Sequence, residues 1–191
     1  MTAVSTAGVA GARVARLDRV RGRMADLGVD ILLLSLGADL PWLTGYEAMP
    51  LERLTMLVVP ADVPATLIVP RLEAPRVSEQ PEVFSVRPWA EHEDPMDIVA
   101  GLVGTRRQVA VSDRTWAMFV LGLQRRSPGR EWRPSSTVTG PLRAVKDAAE
   151  IEALAVASAA ADRVAAELLG GHIALIGRTE RQVSQELGRR L

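Results

Sequence analysis

Ile31-Leu32-Leu33-Leu34 is an unbroken run of four branched apolar residues. Successive side chains of a strand point to opposite faces, so a strand made of this run needs apolar cover on both sides, as the inner strands of α/β sheets have. Just before it, Val14, Leu17, Val20, Met24 and Leu27 recur at spacings of three and four. That spacing lays one apolar stripe along a helix, which Gly28 can end in a left-handed turn. The opening of the chain therefore predicts a core-facing helix followed by a strand buried on both faces.

The same alternation continues. Leu54 to Val59 and Ala65 to Val69 read as strands, joined through Pro60-Ala61-Asp62-Val63-Pro64, whose prolines and aspartate favour a reversal, so the pair is expected to be antiparallel. Val83 to Val86 and Val109 to Val111 are further short strands. Pro95 to Val103 and Thr115 to Leu123 read as helices, with Ser112 or Asp113 placed to cap the second. Arg125 to Gly140 concentrates Arg, Ser, Pro and Gly and reads mostly as loop, with one short strand around Trp132. It marks a domain boundary. Beyond it, Ala148 to Leu169 is alanine-rich with Ile151, Leu154, Ala155, Ser158, Ala165 and Leu168 on one side, a helix by propensity and pattern that Gly170-Gly171 breaks. Asp147 with Glu150, and Thr179 with Gln182, have the spacing of capping boxes, so these polar residues are read as structural.

Composition removes several classes of function. Lys+Arg and Asp+Glu number 23 each over 191 residues, which leaves no net field to hold nucleic acid or an acidic membrane surface. There is no cysteine, hence no disulfide, thiolate metal site or thiol nucleophile, in keeping with a reducing cytoplasm. Met1 to Ala12 is small and apolar without a basic start, and reads as a loose tail and not a signal peptide. No apolar run has the length of a membrane span. Lys146 is the only lysine beside abundant arginine and alanine, a usage typical of GC-rich bacterial genomes. No Walker loop, dinucleotide fingerprint or nucleophile elbow is present.

Pro141-Leu142-Arg143-Ala144-Val145-Lys146-Asp147-Ala148-Ala149-Glu150-Ile151, then Gly177-Arg178-Thr179-Glu180, resembles the junction of creatinase/prolidase-type metallopeptidases, where a small α/β domain hands over to a "pita-bread" catalytic domain. Pro41-Trp42-Leu43-Thr44-Gly45-Tyr46 resembles that family's aromatic-Leu-Thr-Gly-aromatic segment, and Arg16 to Asp30 its opening helix and strand entry. The resemblance covers nearly the whole chain. It implies an α/β fold with a mixed sheet between helical layers at 13–139, a tail at 1–12, and linker plus opening helices of an incomplete catalytic domain at 140–191. It implies a parent that is an Xaa-Pro aminopeptidase or Xaa-Pro dipeptidase using two divalent metals, manganese or cobalt. The family's five ligands are two aspartates, a histidine and two glutamates in widely separated motifs. None can be matched here, so no catalytic residue, metal ligand or cofactor is assigned to this chain, which alone is expected to be inactive. The implied partners are its own catalytic domain, a second copy in a homodimer or higher oligomer, and a peptide substrate, with neither nucleic acid nor membrane.

The resemblance assigns a substrate-pocket wall to Trp42 and Tyr46, while an equally weighted reading has both aromatics plug the edge of the core. Arg53 is a weaker candidate for gripping a substrate carboxylate, against a plain surface role. His92, in Glu91-His92-Glu93-Asp94, lacks a second histidine at helical spacing, so an exposed acidic loop is preferred to a metal cluster. His172 sits at a helix end, where an imidazole suits the carboxyl terminus. Arg125, Arg126, Arg130 and Arg133 around Trp132 read as a solvated loop in preference to a nucleic-acid surface. Two alternatives to the peptidase reading are a non-catalytic peptide-binding pita-bread relative and an autonomous α/β module that binds small molecules.

Overall fold

The computed structural model describes residues 6–191, with side chains from Gly11 onward. The chain forms two compact units, the first ending at Ala144 and the second running Val145–Leu191. No helix among the described residues is long and apolar enough to cross a membrane.

The first unit is built on one six-stranded sheet. Helix α1 (Thr6–Leu27) leads into β1 (Ile31–Leu34), then α2 (Asp39–Thr44), β2 (Met56–Pro60), β3 (Ala65–Pro70), a 3-10 turn at Ala74–Arg76, β4 (Phe84–Trp89), α3 (Pro95–Val103), β5 (Gln108–Val111), α4 (Ala117–Arg126), β6 (Glu131–Pro134) and α5 (Ser136–Ala144). The strand order is β4-β3-β2-β1-β5-β6. Only β2 runs against its neighbours: β1 pairs β5 and β5 pairs β6 in parallel, as β3 pairs β4. The expected β2–β3 reversal is present, with Met56 opposite Ile68.

Period-two alternation sorts the sheet into two cores. Leu32, Leu34, Leu57, Val59, Leu67 and Val69 face one side, packed with Leu17, Val20 and Met24 of α1, Leu40 and Leu43 of α2 and Val138 of α5. Ile31, Leu33, Met56, Val58 and Ile68 face the other, packed with Val99 and Val103 of α3 and Phe119 and Leu123 of α4. All four residues of β1 are fully buried, as their unbroken apolar run requires. At the amino edge, the Asp30 carboxylate accepts from the backbone N–H groups of Arg107 and Gln108, both at 2.9 Å, tying the entry of β5 to that of β1. The two outer strands each contain a proline, Pro88 in β4 and Pro134 in β6. Glu131 N–H and Ser135 N–H both donate toward β5, and Trp89 C=O accepts from Arg71 on the β3 side, so each proline stands where an N–H would point away from the sheet.

Three boundaries differ from the sequence reading. Residues 6–12, expected as part of a tail, belong to α1, because Thr6-Ala7-Gly8-Val9-Ala10 continues into a strong helix former; the rest of that expected tail, 1–5, lies outside the described residues. Helix α4 begins after Trp116 with no side-chain cap, since Ser112 and Asp113 spend their oxygens on neighbouring loops: the Ser112 hydroxyl donates to Leu36 C=O, and Asp113 accepts from Ser136 N–H. The expected loop 125–140 contains the end of α4 and most of α5, which moves the boundary from Thr139 to Ala144. Pro141 lies inside α5, where it removes one ladder bond, and the helix is held by tertiary anchors instead: Val138 is fully buried, and Arg19 donates to Leu142 C=O.

The second unit contains α6 (Ala148–Leu169) and α7 (Glu180–Arg190). Asp147 caps α6 by accepting from Glu150 N–H at 2.9 Å while the Glu150 carboxylate accepts from Asp147 N–H, and Thr179 with Gln182 repeats the motif at α7. Gly171, at φ +76°, takes the left-handed position after α6; its N–H donates to Leu168 C=O and that of His172 to Glu167 C=O, the two closing bonds of a Schellman turn. Arg190 pairs with Glu167 at 2.5 Å, joining the ends of the two helices.

Asp147→Ala is expected to cost about 1 kcal/mol, the usual worth of such a cap. Denaturant unfolding followed by helical circular dichroism should show a lower midpoint with an unchanged slope; an unaltered midpoint would mean that the cap contributes nothing.

Candidate functional site

The segment Pro41–Tyr46 is where sequence reasoning put a pocket wall. Gly45, at φ +72°, ends α2 in the left-handed conformation with its N–H on Pro41 C=O, and a side chain there would collide with the guanidinium of Arg13. That turn directs Tyr46 inward. Both aromatics are core groups: Trp42 is 8% exposed and Tyr46 6%. The Arg16 guanidinium lies 5.3 Å from the Trp42 ring centre and donates to Trp42 C=O at 2.9 Å, which pins α1 against α2. The Trp42 ring N–H has no partner among the described residues.

The Tyr46 hydroxyl donates to Glu73 Oε2 at 2.9 Å, and Glu73 is itself buried. Burial, with the hydrogen bond to Glu73 and its charge, pushes the Tyr46 hydroxyl up to about 12. Arg53 is placed elsewhere, in an ion pair with Glu91 at 2.6 Å; its neighbour Leu54 belongs to the α3/α4-side core, whereas Trp42 and Tyr46 belong to the other. The structure thus joins Trp42 and Tyr46 on one layer and sets Arg53 apart.

The acidic loop around His92 is built from separate structural contacts. Glu91 pairs with Arg53 and Glu93 with Arg87, while Asp94 caps α3 through Met96 N–H and pairs with Arg126. The Arg87 guanidinium, helped by Ala90 N–H, holds the Glu93 carboxyl down at about 2. The described residues contain no group of three or more His, Cys, Asp or Glu side chains placed to hold a metal ion. Within the basic stretch, Arg126 is bound to Asp94 and Asp97, Arg130 to the carbonyls of Pro128 and Gly104, and Arg133 to Leu27 C=O and Gln108 Oε1.

A concave site that the sequence reading missed lies at the carboxyl edge of β1, β5 and β6, where α/β sheets commonly bind ligands. Each of these parallel strands is followed at once by a buried serine: Ser35, Ser112 and Ser135. Ser35 Oγ donates to Thr55 C=O, Ser112 Oγ to Leu36 C=O, and Ser135 N–H to Val111 C=O, so the three loops are tied to one another and to the sheet. Between them is a cleft of about 280 Å³ lined by Gly37, Asp39, Asp113, Arg114, Thr139 and Arg143 among others. Asp39, at the start of α2, receives Thr139 Oγ1 at 2.9 Å, Ser135 Oγ at 3.3 Å and Arg143 at 2.9 Å. Its pair with Arg143 is charge-assisted and fixes the last turn of α5, from which the chain leaves the first unit. The detectable signal was a serine directly after the apolar runs of β1 and β5, but only the pairing order of the strands brings the three loops together.

In the second unit, Ile151, Leu154, Val156, Leu169, Leu175 and Ile176 are exposed, and Val164 is the buried residue of α6. Leu175, Val183, Leu187 and Leu191 line an open apolar groove.

Residues 16–145 match the family model of the Creatinase/Prolidase N-terminal domain. The chain is 33% identical over 176 residues to the probable dipeptidase PepE of Mycobacterium tuberculosis, covering 90% of this chain and 46% of that protein. The crystal structure of dipeptidase PepE from Mycobacterium ulcerans superposes with a TM-score of 0.78 at 33% identity, over 95% of this chain and 49% of that one. The creatinase/prolidase N-terminal domain of an X-Pro dipeptidase from Streptococcus pyogenes matches 63% of this chain and 98% of its own, with a TM-score of 0.55 and 26% identity. The chain spans about half the length of the curated relatives it matches.

Tyr46→Phe is expected to destabilise the first unit by about 1–3 kcal/mol, because it removes the donor to a buried carboxylate. Since the folded-state value lies above the ordinary tyrosine value of about 10, this contribution is complete below pH 10 and is lost as pH rises toward 12. Tyr46 is the only tyrosine, so tyrosinate absorbance reports it alone. A midpoint near 10 in the native protein would remove the argument.

Proposed function

We propose, on the premise that the chain belongs to the creatinase/prolidase N-terminal domain family, that it is the front half of a metal-dependent peptidase cleaving Xaa-Pro bonds, and that its own task is to shape the substrate pocket and support assembly. The observation that carries this reading is the extent of the similarity to dipeptidases. It covers nine-tenths of the chain, more than the first unit can supply, so it continues through the boundary at Ala144 into the second unit. That the similar proteins are named dipeptidases favours a dipeptidase over an aminopeptidase.

In this reading the metals, manganese or cobalt, are held by residues outside this chain, and no step of bond cleavage falls on the residues described here. Trp42 and Tyr46 act on the pocket indirectly: by filling the core under α2 they set the position of the loop from Ser35 to Asp39. Arg53, already paired with Glu91, is the weaker wall candidate. The exposed apolar residues of α6 and of the segment before α7 are covered by the remainder of the parent protein, because patches of this kind on a lone chain seek partners.

Two outcomes test the proposal. The chain alone should leave Ala-Pro and Ala-Pro-Pro intact in added manganese or cobalt, while the product of the complete reading frame cleaves Ala-Pro; an inactive complete product that retains stoichiometric metal would instead mark a non-catalytic relative. In light scattering the chain alone should self-associate, and a strict monomer with protected amides throughout α6 would show that the helix needs no further cover.

A further inference from the structure

The last turn of α5 gets little help from its own sequence. Thr137, Val138 and Thr139 are β-branched, Gly140 is a weak helix former, and Pro141 has no N–H to give the helix. What holds that turn is a carboxylate on another element. Asp39 Oδ1 accepts from Arg143 at 2.9 Å, while Oδ2 accepts from Thr139 Oγ1 at 2.9 Å and from Ser135 Oγ at 3.3 Å, so both oxygens serve α5 and the residue before it. Asp39 is itself fixed, because Leu40 and Leu43 of the same short helix are buried in the core. The Asp39 side chain is only 14% exposed, against 37% for Arg143, which sets the pair apart from ordinary surface ion pairs.

The loop that opens at Ser35 ends at Asp39, and the first unit ends at Ala144, directly after Arg143. The ion pair therefore spans the loop after β1 and the point where the chain leaves the first unit. We propose that Asp39 is a positioning residue whose carboxylate makes these two places move as one body, so that a displacement of the loop is passed to the exit of the chain and the reverse. The consequence for the parent rests on the peptidase reading above. A pocket assembled from a wall on this unit and a metal centre held by residues outside the chain is complete only while the exit keeps one direction. Releasing the clamp divides the enzyme between competent and incompetent arrangements, and a substrate that binds the competent one is held more weakly in proportion to the fraction lost.

The test uses backbone order parameters of this chain from nuclear magnetic resonance relaxation. Asp39→Asn keeps an acceptor for Thr139 but lacks the charge that holds Arg143, so the Leu142, Arg143 and Ala144 amides should fall from the rigid value of about 0.85 to below about 0.6, with β1 and β5 unchanged. Reciprocally, Arg143→Gln should loosen Gly37 to Asp39, and Arg143→Lys should recover part of the order. Val99→Ala, a core truncation in the opposite layer, should lower the melting temperature and leave both places rigid. In the complete reading-frame product, Asp39→Asn should raise KM for Ala-Pro about tenfold, the factor that one charged hydrogen bond can supply, with kcat little changed. Unchanged order on the far side of the pair, or equal loosening in Val99→Ala, would overturn the proposal, as would an unchanged KM in an active complete product. If the loosening is present and the complete product cleaves no Ala-Pro, the peptidase reading fails and the clamp stands.

Discussion

The first unit depends on covering β1 from both sides. Its four side chains have no exposed surface, and burying each is worth about 1.5–3 kcal/mol relative to water, a sum comparable with the whole stability of a small domain. That requirement sets α1, α2 and α5 on one face and α3 and α4 on the other. The antiparallel strand β2 lies beside β1 and shares its two-sided burial, with Leu57 and Val59 on one core and Met56 and Val58 on the other.

Local chemistry made much of this arrangement readable in advance. The bounds of α3 and α6 coincide with those expected because each begins at an aspartate followed by proline or alanine, and α6 carries a capping box and a double-glycine stop. The apolar runs similarly announced β1 to β5, whereas β6, Glu131-Trp132-Arg133-Pro134, has no such run and was expected only as a short strand around Trp132. Helix α5 was not readable, since Gly140 and Pro141 oppose a helix locally and only Asp39, Arg19 and the buried Val138 hold it in place. The start of α4 was misplaced for a related reason: Ser112 and Asp113 look like caps but serve the loops beside them.

The candidate site divides along the same line. Trp42 and Tyr46 are conspicuous in sequence, yet their contacts with Arg16 and Glu73 are those of core groups. Asp39 and Arg114 carry no motif of their own, Ser112 reads in sequence as a helix cap, and Arg143 reads only as part of the junction segment. They are brought together by the order β1-β5-β6, which places loops from distant parts of the chain along one edge. Sequence spacing cannot express that neighbourhood.

The prolines of the outer strands bear on how copies of this protein can meet. Pro88 and Pro134 face outward on β4 and β6, so a strand arriving at either margin finds a missing donor where a continued ladder would need one. Merging two sheets into one, and the templated stacking that leads to fibrils, are both disfavoured at these margins. Association is thereby left to side-chain surfaces, whose strength evolution can tune one substitution at a time without disturbing the sheet.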